Sequence, residues 1–305
     1  TEIFLHTKPS KYDEGVKTEI GETAVCNLSS VNLKEHLKEN GGVDYDLLAR
    51  TIKNQMRMLD NVIDLNFYPT KEAEKSNLAH RPVGAGTMGW HDVFHSHKLD
   101  YSSDDSIKLA DELYEFISYH CILNSSKLAK ERGRYSSFEG SLWDQGVIPI
   151  DTYKNKSGNL FITNEWFVKE CKQLNIWTPG LIEALKAVDG DVSQLELPDD
   201  LKNRFRTAFN QDQFKLIDCA AARQKWIDMG QSLNLFNSST SLKYLNDLYF
   251  HAKNRGLKST YYLRNKSASK IEKSTGAATK ESESESEPEP EPEACSIVDP
   301  TCESC

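Results

Sequence analysis

Residues 274–294 set the first limit on what this chain can fold into. They carry seven glutamates and one lysine, with Pro288, Pro290 and Pro292 alternating among the acids. A stretch with so little apolar surface cannot offset the entropy of ordering its backbone, so it is expected to be a solvated tether. It divides the chain into a body, residues 1–273, that must hold whatever folds, and a tail, residues 295–305. Fully extended, the tether reaches roughly 70 Å at about 3.3 Å per residue; as a flexible coil it averages about 25 Å. The tail holds Cys295, Cys302 and Cys305, the last two at C-x-x-C spacing. Such a pair can close a disulfide and exchange it, one thiolate attacking while its neighbour resolves the mixed disulfide. A dithiol on an arm of that reach can enter a pocket and leave again, as a carrier of reductant does. Two plainer readings stand beside it: three ligands of a zinc site, which lacks a fourth and a nearby histidine, and an inert end that merely contains cysteines.

The body is close to neutral. Of the net charge of −9, the tether accounts for −6 and the tail for −2 through Asp299 and Glu303, leaving −1 on residues 1–273. That is no basic footprint for DNA or RNA. No apolar run is long enough to span a bilayer, and no charged-then-apolar leader opens the chain. Seven cysteines, odd in number and widely spaced in the body, do not resemble a secreted disulfide framework. A cytoplasmic protein is expected, without nucleic-acid or membrane partners, and its 38% hydrophobic content suffices for a real core.

Along the body, residues 2–6 read as a short strand and residues 8–22 as polar loop. Residues 23–33 are a second short apolar segment containing Cys26, a residue type that by itself is most often a small buried hydrophobe. Leu47, Leu48, Ile52, Met56, Leu59 and Ile63 recur at helical spacing, predicting an amphipathic helix from Asp44 that ends near Pro69. Residues 84–89 spell G-x-G-x-x-G, but the polar residues 71–81 before them are not the buried strand a dinucleotide site requires. Close packing of a helix start against another backbone is the expected use of those glycines. His91 and His95 share a helical face, yet a metal needs further ligands, so ordinary packing is expected. A helix over 106–132 stops at Gly133. Residues 161–185 are mostly helical with breaks at Pro179 and Gly180, and helices follow over 201–209, 213–233 and 241–255. Residues 257–263, with Tyr261 and Tyr262, read as a buried strand whose two tyrosines point to opposite faces.

At these tyrosines the chain resembles one family, the large catalytic subunit of class I ribonucleotide reductase. Thr1 to Ile3 and His6 to Pro9 are similar to the segment that follows the family's active-site Asn-Leu-Cys. Residues 24–33 are similar to the strand bearing one of its redox cysteines. Residues 81–90, 148–153, 223–228 with 231–235, 257–263 and the terminal Cys302 to Cys305 also look like family segments, in family order. The resemblance implies an α/β fold, an incomplete barrel of the ten-stranded ribonucleotide reductase type. It would be helix-rich, occupy residues 1–273 and be followed by the tether and the redox tail.

The resemblance also implies roles. Glu2 matches the glutamate that takes the 3′ hydroxyl proton of the ribose. Cys26 matches one of the two cysteines that reduce the 2′ carbon and become a disulfide. Tyr261 and Tyr262 match the stacked tyrosines that relay an electron and a proton from a small subunit carrying the metal-radical cofactor. Cys302 and Cys305 match the swinging dithiol restored by thioredoxin or glutaredoxin. A ribonucleoside diphosphate is the implied substrate and a large-subunit dimer the implied assembly. The family's thiyl cysteine falls just before Thr1, and the partner of Cys26 and the effector-binding regions precede it. Between Tyr153 and Phe161 the family has a longer stretch with a phosphate-binding loop. A fragment with an internal gap is therefore expected, a truncation, split-gene or spliced product that is inactive without a companion segment. A helical binding or scaffold remnant with incidental cysteines is the alternative.

Overall fold

Two parallel strand pairs, each wrapped by helices, form the frame. The computed structural model describes residues 7–138, 164–227 and 229–265, all within one compact unit, Thr1–Lys266. Glu2, the tether and Cys295, Cys302 and Cys305 lie outside the described residues, as do the expected strand over 2–6 and the segment 148–153.

β1 (Lys11–Asp13) and β2 (Val16–Glu19) form an exposed antiparallel hairpin where loop was expected. Glu14 and Gly15 both take positive φ, 47° and 82°, which suits a two-residue turn and closes the hairpin despite its polar sequence. β3 (Asn27–Asn32) follows Cys26 directly and runs into a single turn of 3-10 helix, Leu33–His36. α1 (Tyr45–Leu65) begins where Asp44 accepts a hydrogen bond from Leu47 N–H, and it buries Leu48, Ile52, Met56, Leu59 and Ile63. α2 (Lys71–His80), capped by Thr70, ends at Arg81 in the left-handed region.

The glycine-rich stretch is itself a strand. β4 (Val83–Met88) pairs parallel with β3 from Asn27↔Val83 to Asn32↔Met88, and Gly84 and Gly86 lie inside it. Gln55 of α1 donates to Ser29 O and Gly86 O, holding both strands with one buried side chain. Gly89, at φ 83°, caps α3 (Trp90–Ser96), and a Cβ there would lie 2.9 Å from Asn32 Oδ1. The close helix-to-backbone approach expected of these glycines thus holds at Gly89. α4 (Asp104–Arg132) starts at its Ser103 cap and stops at Gly133. Leu48, Ile52, Ala85, Trp90, Phe94 and Leu113 belong to the largest core cluster.

α5 (Glu165–Gln173), α6 (Pro179–Ala187) and α7 (Asp199–Arg204) build a second cluster around Phe167, Cys171, Leu201 and Phe205. Pro179 opens α6 at its first position, behind the Thr178 cap, where an absent N–H costs nothing. α8 (Gln213–Gln224) is nine residues shorter than expected. Gln224 Nε2 donates to Ile227 O and Met229 O, and Gln231 Nε2 returns to Ala220 O, so side-chain amides turn the chain back onto the helix.

β5 (Leu235–Asn237), α9 (Leu242–Asn254) and β6 (Leu263–Asn265) are the last elements of the described residues, with β5 and β6 parallel and Leu235↔Leu263 in register. The strand expected over 257–263 is therefore displaced, since only Leu263 belongs to it. Among the described residues six strands form three two-stranded sheets. The α/β, helix-rich class holds, while these sheets do not by themselves close a ten-stranded barrel.

Candidate functional site

Cys26 sits at the amino end of the β3–β4 pair, half-buried, its Sγ 3.7 Å from Asn27 O. Of the four described cysteines, Cys121, Cys171 and Cys219 are buried and Cys26 is not. Burial nonetheless pushes its thiol up to about 12. At neutral pH it is an S–H group, able to give hydrogen but a poor nucleophile. Upstream, Thr23 N–H donates to Glu72 O, and Glu22 lies 3.5 Å from His80 Nε2.

Tyr261 and Tyr262 precede β6 rather than lying inside it, and both are about half exposed. Tyr261 N–H donates to Leu233 O at 2.8 Å and Tyr262 O accepts from Leu235 N–H at 2.9 Å, which pins the segment against the approach to β5. Their rings do not point to opposite faces: the centroids are 4.1 Å apart at 56°. The guanidinium of Arg264 lies 5.3 Å from the Tyr262 ring. Cys26 and the tyrosines thus stand at the amino ends of two different parallel pairs.

A cleft of about 400 Å³ opens between the carboxyl end of β4 and the approach to β5. Its walls include Thr87, Trp90, Tyr101, Tyr114, Gln211 and Arg223. β3 spans six residues, so Cys26 is roughly 20 Å from the β4 end that meets the cleft. The tyrosines are closer, because Leu233, which accepts from Tyr261 N–H, is part of the wall. His95 is buried and stacked on Phe205 at 4.3 Å, and burial holds its imidazole down at about 3. It packs against that ring with Nδ1 buried and unpaired, and among the described residues no three His, Cys, Asp or Glu side chains gather as metal ligands.

Against this geometry, the sequence profile described as ribonucleotide reductase, barrel domain, matches residues 1–159 and 154–263. The chain belongs to the ribonucleotide reductase barrel family. The ribonucleoside-diphosphate reductase subunit alpha of Chlamydia trachomatis is 39% identical over 322 residues, covering 83% of this chain and 31% of that protein. The Helicobacter pylori subunit alpha is 36% identical over 309 residues, covering 89% of this chain and 37% of that protein. The solved alpha subunit of the Actinobacillus ureae class Id ribonucleotide reductase superimposes with a TM-score of 0.65 at 26% identity, covering 81% of this chain and 51% of that one. The chain spans about a third of the length of these curated relatives. The Chlamydia match runs over more residues than the whole 305-residue chain while using 83% of it, so that relative carries residues between the matched parts that this barrel chain lacks.

The cleft residues escaped the sequence reading. Arg223 and Gln231 fall in segments that resemble the family, yet nothing in their spacing predicts that Arg223 turns inward beneath Trp90 and Tyr114. Among the described residues no helix is long and apolar enough to cross a membrane.

Proposed function

We propose that this chain is the carboxy-terminal part of the catalytic barrel of a ribonucleoside-diphosphate reductase large subunit, and that it takes part in reducing ribonucleoside diphosphates to 2′-deoxyribonucleotides once its missing segments are supplied. The observation that carries the reading is Cys26, a half-open, protonated thiol at the start of a core strand, within a chain of this family. In the proposed reaction Cys26 and a second cysteine from the remainder of the barrel give up two protons and two electrons. The 2′ hydroxyl leaves as water, hydrogen takes its place on the carbon, and the two sulfurs join as a disulfide. A thiol held protonated suits that donation. Glu2 would accept the 3′ hydroxyl proton.

Tyr261 and Tyr262, with touching rings and half-exposed faces, suit a relay between the substrate site and a radical-bearing small subunit. Cys302 and Cys305, at the end of the tether, would reduce the disulfide and be restored by thioredoxin or glutaredoxin. The metal-radical cofactor belongs to the small subunit, and effectors bind regions that the companion segment would supply. The complete ten-stranded barrel and the large-subunit dimer are parts of the same proposal, as is cytoplasmic residence.

The test is a reconstitution. The chain is mixed with a companion polypeptide carrying the remaining length of the relatives, small subunit, effector and thioredoxin, and deoxyribonucleotide is measured. The assembled system should turn over and the chain without its companion should not. Cys26→Ser, Tyr261→Phe and Tyr262→Phe should each abolish turnover, and Cys302→Ser or Cys305→Ser should leave only the product formed by prereduced enzyme. Full turnover by the chain without its companion, or by Cys26→Ser, would sink the proposal.

A further inference from the structure

The cleft beyond β4 holds a cation whose partners are all neutral. Arg223 is 7% exposed. Its Nε–H donates to Gln231 Oε1 at 3.2 Å and an Nη1–H to Cys219 Sγ at 3.2 Å. The guanidinium carbon lies 5.2 Å from the Trp90 ring centroid and 5.8 Å from that of Tyr114. Among the described residues no carboxylate pairs with it. Asp92, the acid on the cleft wall, instead accepts the indole N–H of Trp166 at 2.9 Å. A guanidinium has five N–H donors, and these two hydrogen bonds with a third to the neutral Tyr101 hydroxyl use three. Aromatic faces offset part of the cost of burying it, but a buried cation gains most from an oxyanion that its planar fork can grip.

A second donor on the same wall points the same way. Gln211 is 8% exposed. Its Oε1 accepts from Ser102 Oγ at 3.2 Å, while its Nε2 is buried with no hydrogen-bond partner. A buried N–H left without an acceptor is destabilising, because it has lost its water and gained nothing in exchange. Around the two donors the cleft is mostly apolar, and Trp90, Tyr101, Tyr114 and Phe236 are in its walls.

We infer that this cleft binds an oxyanion, a carboxylate or phosphate on a small ligand with a flat apolar body, gripped by the Arg223 guanidinium and Gln211 Nε2. The site stands at the carboxyl end of β4, whereas Cys26 stands at the amino end of its partner strand. The inference rests on side-chain chemistry and does not depend on the reductase reading.

The Trp90 indole N–H, which donates to Thr87 Oγ1 at 3.1 Å beside the guanidinium, is the reporter. The full chain, labelled with nitrogen-15, is titrated with sodium phosphate and, separately, with sodium benzoate, against sodium chloride of equal ionic strength. The Trp90 signal is assigned by its loss in Trp90→Phe. A saturating shift with at least one of the two anions is expected, and which one saturates tells phosphate from carboxylate. Arg223→Gln should weaken that binding about tenfold or more. Gln211→Glu puts a carboxylate where the donor was and should abolish it, so the question stays answerable if Arg223→Gln does not fold. Shifts with both anions that stay linear like those of chloride, or equal affinity in Gln211→Glu, overturn the inference.

Discussion

The two parallel strand pairs follow the same plan and differ in how much covers them. β3 and β4 are six residues each, and α1, α3 and α4 bury Val31, Ala85 and Thr87 between them. β5 and β6 are three residues each, and the segment entering β6 leaves Tyr261 and Tyr262 half exposed. The covered pair holds a thiol in its protonated form, because a thiolate at a half-buried site loses hydration. The open pair presents two phenols that a partner can touch. One scaffold thus supplies a shielded group and an accessible pair by varying strand length and helix cover.

The two pairs should differ most in what their cores contribute to stability. Leu48→Ala removes a fully buried side chain from α1 and should lower global stability by about 2–5 kcal/mol, read as a shift of the urea midpoint. Leu248→Ala, in the cluster under β5, should instead act locally. Amide exchange at 263–265 should quicken while β3 and β4 keep their protection. Equal loss of protection in both pairs would show that they open as one unit.

Next comes the thiol. Against a free cysteine at about 9, Cys26 at about 12 has roughly three decades less thiolate at pH 8, partly offset by the greater nucleophilicity of a more basic sulfur. Its alkylation by iodoacetamide at pH 8 should therefore be about ten- to a hundredfold slower than that of an unfolded control. Below pH 9 the thiol is protonated in both states and adds no pH dependence. Between 9 and 12 the unfolded chain releases the proton while the native state keeps it, so stability falls with rising pH. Cys26→Ala should lack that part of the decline, and identical alkaline profiles would contradict the shielding.

Smaller effects separate close packing from backbone conformation. Gly89→Ala places a Cβ 2.9 Å from Asn32 Oδ1 and 3.1 Å from Lys34 N at φ 83°, and should cost about 2 kcal/mol or more. Gly15→Ala, at φ 82° with nothing within 4 Å, should cost only the backbone part, about 1 kcal/mol. Equal urea midpoints for the two would remove the tight approach at α3. Smallest of all, Tyr261→Phe and Tyr262→Phe should change stability by no more than about 0.5 kcal/mol, since both hydroxyl-bearing rings are half exposed. A larger loss would mean that they serve the fold.

Much of the helical frame was legible beforehand. Leu48, Ile52, Met56, Leu59 and Ile63 at helical spacing specified α1, Gly133 stopped α4, and Gly256 follows the end of α9. Cys26 and the tyrosine pair were legible only through resemblance to a family. The hairpin at Glu14 and Gly15, the strand nature of residues 83–88, the early end of α8 and the late start of β6 were not.

The reason is the range of the interactions. A helix closes its hydrogen bonds within four residues, so spacing and caps are written locally, and for α1 and α4 the sequence alone sufficed. A strand exists only when paired. Gly84 and Gly86 become β4 because β3, more than fifty residues earlier, offers its edge and Gln55 ties the two, and Leu263 enters a strand because Leu235 lies beside it. The inward turn of Arg223 is of the same kind, fixed by Trp90, Tyr114 and Gln231 from three other parts of the chain. Those meetings were decided by the tertiary structure, which sets which distant groups share one small volume.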